Sequence, residues 1–165
     1  MKSLELWIAQ GFGSGLAPAA PGTFGSLVGF AWLALLLIPA SAPLFCIGLL
    51  LSIALSVRTC ASAERALGET DPGSVVIDEI IAIPWCCVGW LLLEWRRHGS
   101  FPGLADVFQI QRLPTLIAVF ALFRLFDIWK PWPVRGSQEL PGGWGVTADD
   151  LLAALYVNLT LSWFV

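Results

Sequence analysis

Residues 6–57, LWIAQGFGSGLAPAAPGTFGSLVGFAWLALLLIPASAPLFCIGLLLSIALSV, contain no Asp, Glu, Lys, Arg or His. A helix needs about 20 apolar residues to cross a hydrocarbon core of about 30 Å, so an uncharged run of this length can cross more than once. The rest of the 165-residue chain agrees: it is 57% hydrophobic, its mean hydropathy is +0.77, and only 13% of its residues are charged. A soluble domain carries roughly 25% charged residues, so much of this surface is expected to face lipid. The length fits one membrane-embedded domain, residues 1–165. A net charge of -3 without a basic, aromatic-laced patch argues against nucleic acid.

Outward from that run, apolar length predicts five helices, at residues 23–39, 43–57, 75–93, 114–129 and 149–165. The fold class is therefore all-α, an integral membrane bundle of about five embedded helices, because lipid leaves backbone groups no partner outside a helix or closed barrel. The first two are short enough to form a re-entrant hairpin. Alternating crossings put the N-terminus and residues 58–74 and 130–148 on one face, with residues 40–42, 94–113 and the C-terminus on the other. The first face holds Lys2, Arg58, Arg65, Lys130 and Arg135, the second Arg96, Arg97 and Arg112, which places the first face in the cytoplasm. Glu5 so soon after Lys2 leaves no room for the apolar region of a cleavable signal peptide. Cys46, Cys60, Cys86 and Cys87 have no CxxC spacing and read as small buried apolar side chains.

The same topology brings Asp78, Glu79, Asp127, Asp149 and Asp150 to one depth on the cytoplasmic face. Carboxylates gathered near a low-dielectric region repel one another unless cations join them. In VVIDEII (75–81) the adjacent acids point about 100° apart on a helix, so at least one faces the bundle; a bland account makes them first-turn acids behind an Asp71-Pro72 cap. In GVTADDLL (145–152), Thr147 and Asp150 also fit a capping box. In FRLFDIWKPWPVR (123–135), Arg124, Asp127 and Lys130 form either a helical ladder of ion pairs or a phosphate-holding edge, stiffened by Pro131 and Pro133. GFGSGLAPAAPGTFGS (11–26) is either a flexible entry or an anion-binding loop, and it lacks the GK[ST] ending of a nucleotide loop. His98, lone beside Arg96 and Arg97, reads as a solvated loop residue.

Oxygen ligands from several helices make a hard-cation site, for which Mg²⁺ is the expected occupant because it tolerates retained waters and a substrate phosphate. With a lysine or arginine at the phosphoryl oxygens, that set describes hydrolysis of a phosphate monoester. The Cys-x₅-Arg loop, a histidine pair and a DxDx nucleophile are all absent. Two other classes stay open on the residues: an ion- or proton-coupled transporter, and a non-catalytic membrane subunit that uses its ion pairs for assembly.

Four stretches together, GFGSGLAPAAPGTFGS, DPGSVVIDEI, FRLFDIWKPWPVR and GGWGVTADDLLA, resemble in order the signature blocks of the phosphatidylglycerophosphatase A family. The resemblance implies a multi-pass, Mg²⁺-dependent enzyme of the bacterial inner membrane, its site facing the cytoplasm. Its substrate would be phosphatidylglycerophosphate in the bilayer, converted to phosphatidylglycerol and phosphate. It also implies catalytic and metal-binding roles for Asp78, Glu79, Asp127, Asp149 and Asp150. Phosphate binding would fall to Lys130, with Arg124 or Arg135, and to the N-terminal loop with Gly13, Ser14 and Thr23. Three positions depart from the family pattern: Ala82 stands where a glycine is usual, Pro84 interrupts the third helix, and Thr147 replaces a hydrophobic residue. The oligomeric state is left open.

Overall fold

The computed structural model describes residues 2–164, and the side chains of Lys2 and Ser3 are not described. Lys2, counted above among the cytoplasmic cations, and Val165, the end of the fifth predicted helix, therefore lie in whole or part outside the described residues.

The described residues form helices without any strand: α1 (Lys2–Ala9), α2 (Pro21–Leu37), α3 (Ala42–Leu67), α4 (Ile77–Cys86), α5 (Val88–His98), α6 (Leu104–Val107), α7 (Leu113–Trp129), α8 (Val134–Ser137) and α9 (Gly143–Leu161), with 3₁₀ turns at Gly11–Leu16 and Ile110–Arg112. Prolines open α2, α3 and α7, where a missing N–H removes no helical bond. Left-handed residues end three helices, Gly68 after α3, Gly99 after α5 and Lys130 after α7.

Three boundaries differ from the sequence expectation. The second helix does not stop at Val57 but continues to Leu67, because Arg58 pairs with Glu5 at 2.9 Å and Ser62 donates to the same carboxylate at 2.6 Å, so the polar turns pack on α1. The third helix is two, broken at Cys87 just past Pro84, whose ring removes one N–H from the ladder. The last helix starts at Gly143 and not Asp149. Thr147 is consequently no cap; its hydroxyl bonds the Ser56 hydroxyl at 2.8 Å, joining α9 to α3. Nor do Asp71 and Pro72 cap α4, which follows Val76.

The ends of the bundle sort as the alternating topology requires. At one end the Val76 N–H donates to Ala9 O at 2.9 Å and Gln138 Nε2 donates to Asp71 Oδ2 at 3.4 Å, so α1 and the segments before α4 and α9 meet there. At the other, Phe101 packs on Phe45 and Trp95, with ring centroids 5.4 and 5.7 Å apart. Between them lies a core in which Leu33, Val119, Phe123 and Val157 are fully buried. The helices α2 and α4 are closely apposed. A β-carbon on Gly29 would come 2.6 Å from Ile83 Cγ1, and one on Gly22 would overlap Glu79 Oε1, so α2 meets α4 without side chains of its own.

Among the described residues, α3 is long and apolar enough to cross a membrane, and α2 is apolar but shorter. The outer surface is leucine-rich, with Ile47, Leu50 and Leu51 of α3, Ile117 and Leu125 of α7, and Leu155 and Leu159 of α9 all exposed. Exposed tryptophans mark both ends: Trp129, Trp132 and Trp144 at one, Trp163 at the other. All four cysteines are free, and three are buried as expected; Cys46 is exposed.

Candidate active site

Asp78 and Glu79 occupy the first turn of α4, where unpaired helix N–H groups favour acids. Asp149 and Asp150 sit two turns into α9, and all of these except half-buried Glu79 are buried. Asp78, Glu79 and Asp150 each present an oxygen atom such that the three lie within 4.8 Å of one another. Asp78 Oδ1, Glu79 Oε2 and Asp150 Oδ2 are buried and have no hydrogen-bond partner. Buried carboxylate oxygens without donors are strongly unfavourable, so the residues present fit a hard divalent cation, which this oxygen-only donor set suits.

The other two expected acids flank that triad. Asp127 Oδ2 lies 2.7 Å from Arg124 Nη1, which in turn stands 4.0 Å from Glu79 Oε1. Arg124 thus bridges α7 to the triad. Asp149 turns aside: its Oδ2 accepts from Lys130 Nζ at 2.6 Å and from Gln138 Nε2 at 3.0 Å, and its Oδ1 accepts the Asp150 N–H at 3.0 Å. Burial lowers the Lys130 ammonium pKa, but the hydrogen bond and charge of Asp149 outweigh it, with Asp127 and Asp150 adding to the effect, so Lys130 stays above the ordinary lysine value. It is a permanent cation.

Of the expected phosphate-holding residues, Arg124 and Lys130 stand at the acids. Arg135 is exposed on α8 and lines a surface notch of about 650 Å³ with Lys130 and Trp132. Ser14 donates to Gly11 O at 2.8 Å, within its own turn, and Gly13, at φ 101°, has open space where a side chain would be. Thr23 is half-buried in the first turn of α2, beside Gly22, which touches Glu79.

The Phosphatidylglycerophosphatase A family profile matches residues 7–165. The chain belongs to the phosphatidylglycerophosphatase A family. A member from Escherichia coli is 33% identical over 159 residues, covering 94% of this chain and 81% of the relative, and one from Haemophilus influenzae is 36% identical over 155 residues, covering 93% and 84%. A Bacteroides thetaiotaomicron protein provisionally named a phosphatidylinositol-3-phosphatase is 38% identical over 157 residues, covering 93% of this chain and 88% of its own. No solved structure matches significantly.

Two features of this family member escape a sequence reading. Gln138, a third partner of Asp149, lies in a short irregular segment with no periodic signal. Gly22 and Gly25 fall in the stretch read as loop chemistry, yet with Gly29 their three- and four-residue spacing is that of a close helix contact, and it sets α2 against Glu79. Pro84 and Ala82 are both buried, beyond the acids along α4, and displace none of them.

Proposed function

We propose that this chain is a lipid phosphatase of the bacterial inner membrane that hydrolyses phosphatidylglycerophosphate to phosphatidylglycerol and phosphate, with its site facing the cytoplasm. The observation that carries the proposal is the convergence of three orphaned carboxylate oxygens beside two cations, Arg124 and Lys130. The names of the relatives point to the substrate class, a phosphate monoester on a lipid head group, and the leucine-rich exterior with tryptophans at both ends supports a multi-pass bundle.

In this reading Asp78, Glu79 and Asp150 hold Mg²⁺. Bound there, the ion supplies Lewis-acid polarisation of a phosphoryl oxygen and a water of lowered pKa. Arg124 and Lys130 neutralise the phosphoryl oxygens as charge builds on them, each swinging from the carboxylate it now contacts. Gly22, in the first turn of α2, sits against Glu79 and Arg124 and brings the backbone of that turn to the site. Asp127, beside the triad but outside it, accepts the proton of the attacking water. Asp149 holds Lys130 and fixes the α9 backbone at Asp150.

The test is phosphate release from phosphatidylglycerophosphate by purified protein in detergent, with Mg²⁺ or EDTA, for wild type and Asp150→Asn. Metal-dependent release lost in the mutant is expected. A folded wild type inactive on every phospholipid monoester would overturn the proposal in favour of the transporter or subunit reading, neither of which has an observation of its own here.

A further inference from the structure

The segment that joins α7 to α9 encloses a notch of about 650 Å³ whose walls include Trp129, Lys130, Trp132, Arg135 and Glu139. Its backbone is tied down. Val134 is fully buried and its N–H donates to Pro131 O at 2.7 Å, while the Tyr156 hydroxyl of α9 donates to Trp132 O at 2.7 Å. Pro131 and Pro133 fix the chain on either side of Trp132. Trp129 and Trp132 expose most of their rings at this end of the bundle, as indoles do at the depth of lipid head groups.

One side chain belongs both to the notch and to the acid site. Lys130 lines the notch, and its Nζ donates to Asp149 Oδ2, while Asp149 Oδ1 accepts the N–H of Asp150 in the converging triad. An ammonium carries three donors, and that bond uses one of them. Arg135 lines the same notch and is exposed; among the described residues no carboxylate stands within ion-pair distance of it. The walls thus hold two cations against one acid, Glu139. A guanidinium presents a planar fork of donors that fits two oxygens of a phosphate, which an ammonium cannot do.

Phosphatidylglycerophosphate carries two phosphates: the terminal monoester that is cleaved, and an internal diester that links the glycerol head to diacylglycerol. Arg124 and Lys130 serve the first, and no residue has been assigned to the second. We propose that Arg135 binds the internal phosphodiester in this notch while Lys130 holds the monoester at the acids, which makes Arg135 a specificity-determining residue for a lipid with two phosphates. The inference rests on the lipid phosphatase reading and adds to it the group that reads the uncleaved part of the head. The order of the two cations matches the order of the lipid. Part-buried Lys130 lies on the acid side, and exposed Arg135 lies on the side where the diester would lead out to the acyl chains in the bilayer.

Two measurements test it. The first compares kcat/KM for phosphatidylglycerophosphate with that for an analogue whose internal phosphate alone is methylated to a neutral triester. Arg135→Gln should lower the ratio of the two about tenfold, the value of one hydrogen bond to a charged group, and Arg135→Lys, which keeps the charge and loses the fork, should fall between. Equal losses on both substrates would overturn the proposal. Added phosphatidylglycerol should inhibit the wild type competitively, because its diester takes the same place. Activation by it would mean that a neighbouring lipid fills the notch, and Arg135 would not read the substrate. The second measurement needs no turnover, since phosphatidylglycerol has the diester and lacks the monoester. In native mass spectrometry the wild type should bind it about tenfold more tightly than its methyl triester, and Arg135→Gln should remove the difference. That result is expected even if no phosphate is ever released. A wild type that binds the two lipids equally would sink the assignment of Arg135, whatever becomes of the phosphatase reading.

Discussion

The two ends of the bundle treat buried acid in opposite ways. At the far end, Glu94 is buried between two arginines: Arg112 contacts one oxygen directly, Arg97 lies 3.5 Å from the other, and the His98 imidazole lies 3.4 Å from the first. At the site end, five carboxylates face two cations, Arg124 and Lys130, and three oxygens are left without a donor. One arrangement is complete within the described side chains, and the other is not. A buried acid alone does not mark a functional site; a surplus of acid over cation, with orphaned oxygens converging, does.

The largest effect that sharpens this contrast is on catalysis. Asp78→Asn should lower phosphate release by at least about 100-fold, as loss of an electrostatic group from a reaction centre does, while leaving the melting temperature in EDTA unchanged or raised, since a repelled charge is removed. A drop in stability instead would put Asp78 in the same class as Glu94. The reverse is expected of Glu94→Gln, which strands cations around a buried position: a loss of about 2 kcal/mol in chemical denaturation, taken below the full buried-pair value because its partners are part-exposed, with turnover within about threefold of wild type. Lys130→Met should lower kcat and kcat/KM alike, by about tenfold, the signature of an interaction that strengthens as charge builds on the phosphoryl oxygens. One effect falls on thermal stability alone: Mg²⁺ at about 100 times its Kd should stabilise the wild type by about 2.7 kcal/mol in the limit where only the folded state binds, and should leave Asp78→Asn near its EDTA value. Equal stabilisation of both would mean that the ion binds elsewhere.

Much of the site was legible because its acids lie in apolar surroundings, where a charge is conspicuous. Asp78, Glu79 and Asp127 needed only the alternation of helices to be brought to one end. Helix ends marked by proline, at Pro21, Pro43 and Pro114, were readable to within two residues. The polar turns of α3 were not, since Arg58 and Ser62 find their partner in Glu5, more than fifty residues away in sequence. The start of α9 was hidden for a related reason: Gly142, Gly143 and Gly145 have poor helix propensity, and packing of Gly143 on the Val57 carbonyl overrides it. The division of the five acids into a converging triad, an arginine-bound Asp127 and a lysine-bound Asp149 is a matter of side-chain direction, which spacing alone does not specify. Membrane crossing stands between these cases, because among the described residues α3 alone meets the length and apolarity of a span while the other long helices carry charges or fall short.

The contact of α2 with α4 has a mechanical consequence. With Gly22 flush against Glu79 and Gly29 against Ile83, the two helices are keyed backbone to side chain and must move as a single plate, carrying two of the three converging acids with them. The cations are mounted differently, at the ends of long, many-jointed side chains on and just after α7. The anionic half of the site is thus cast rigid, while its cationic half hangs on tethers, free to re-aim when a new charge arrives without any helix having to shift.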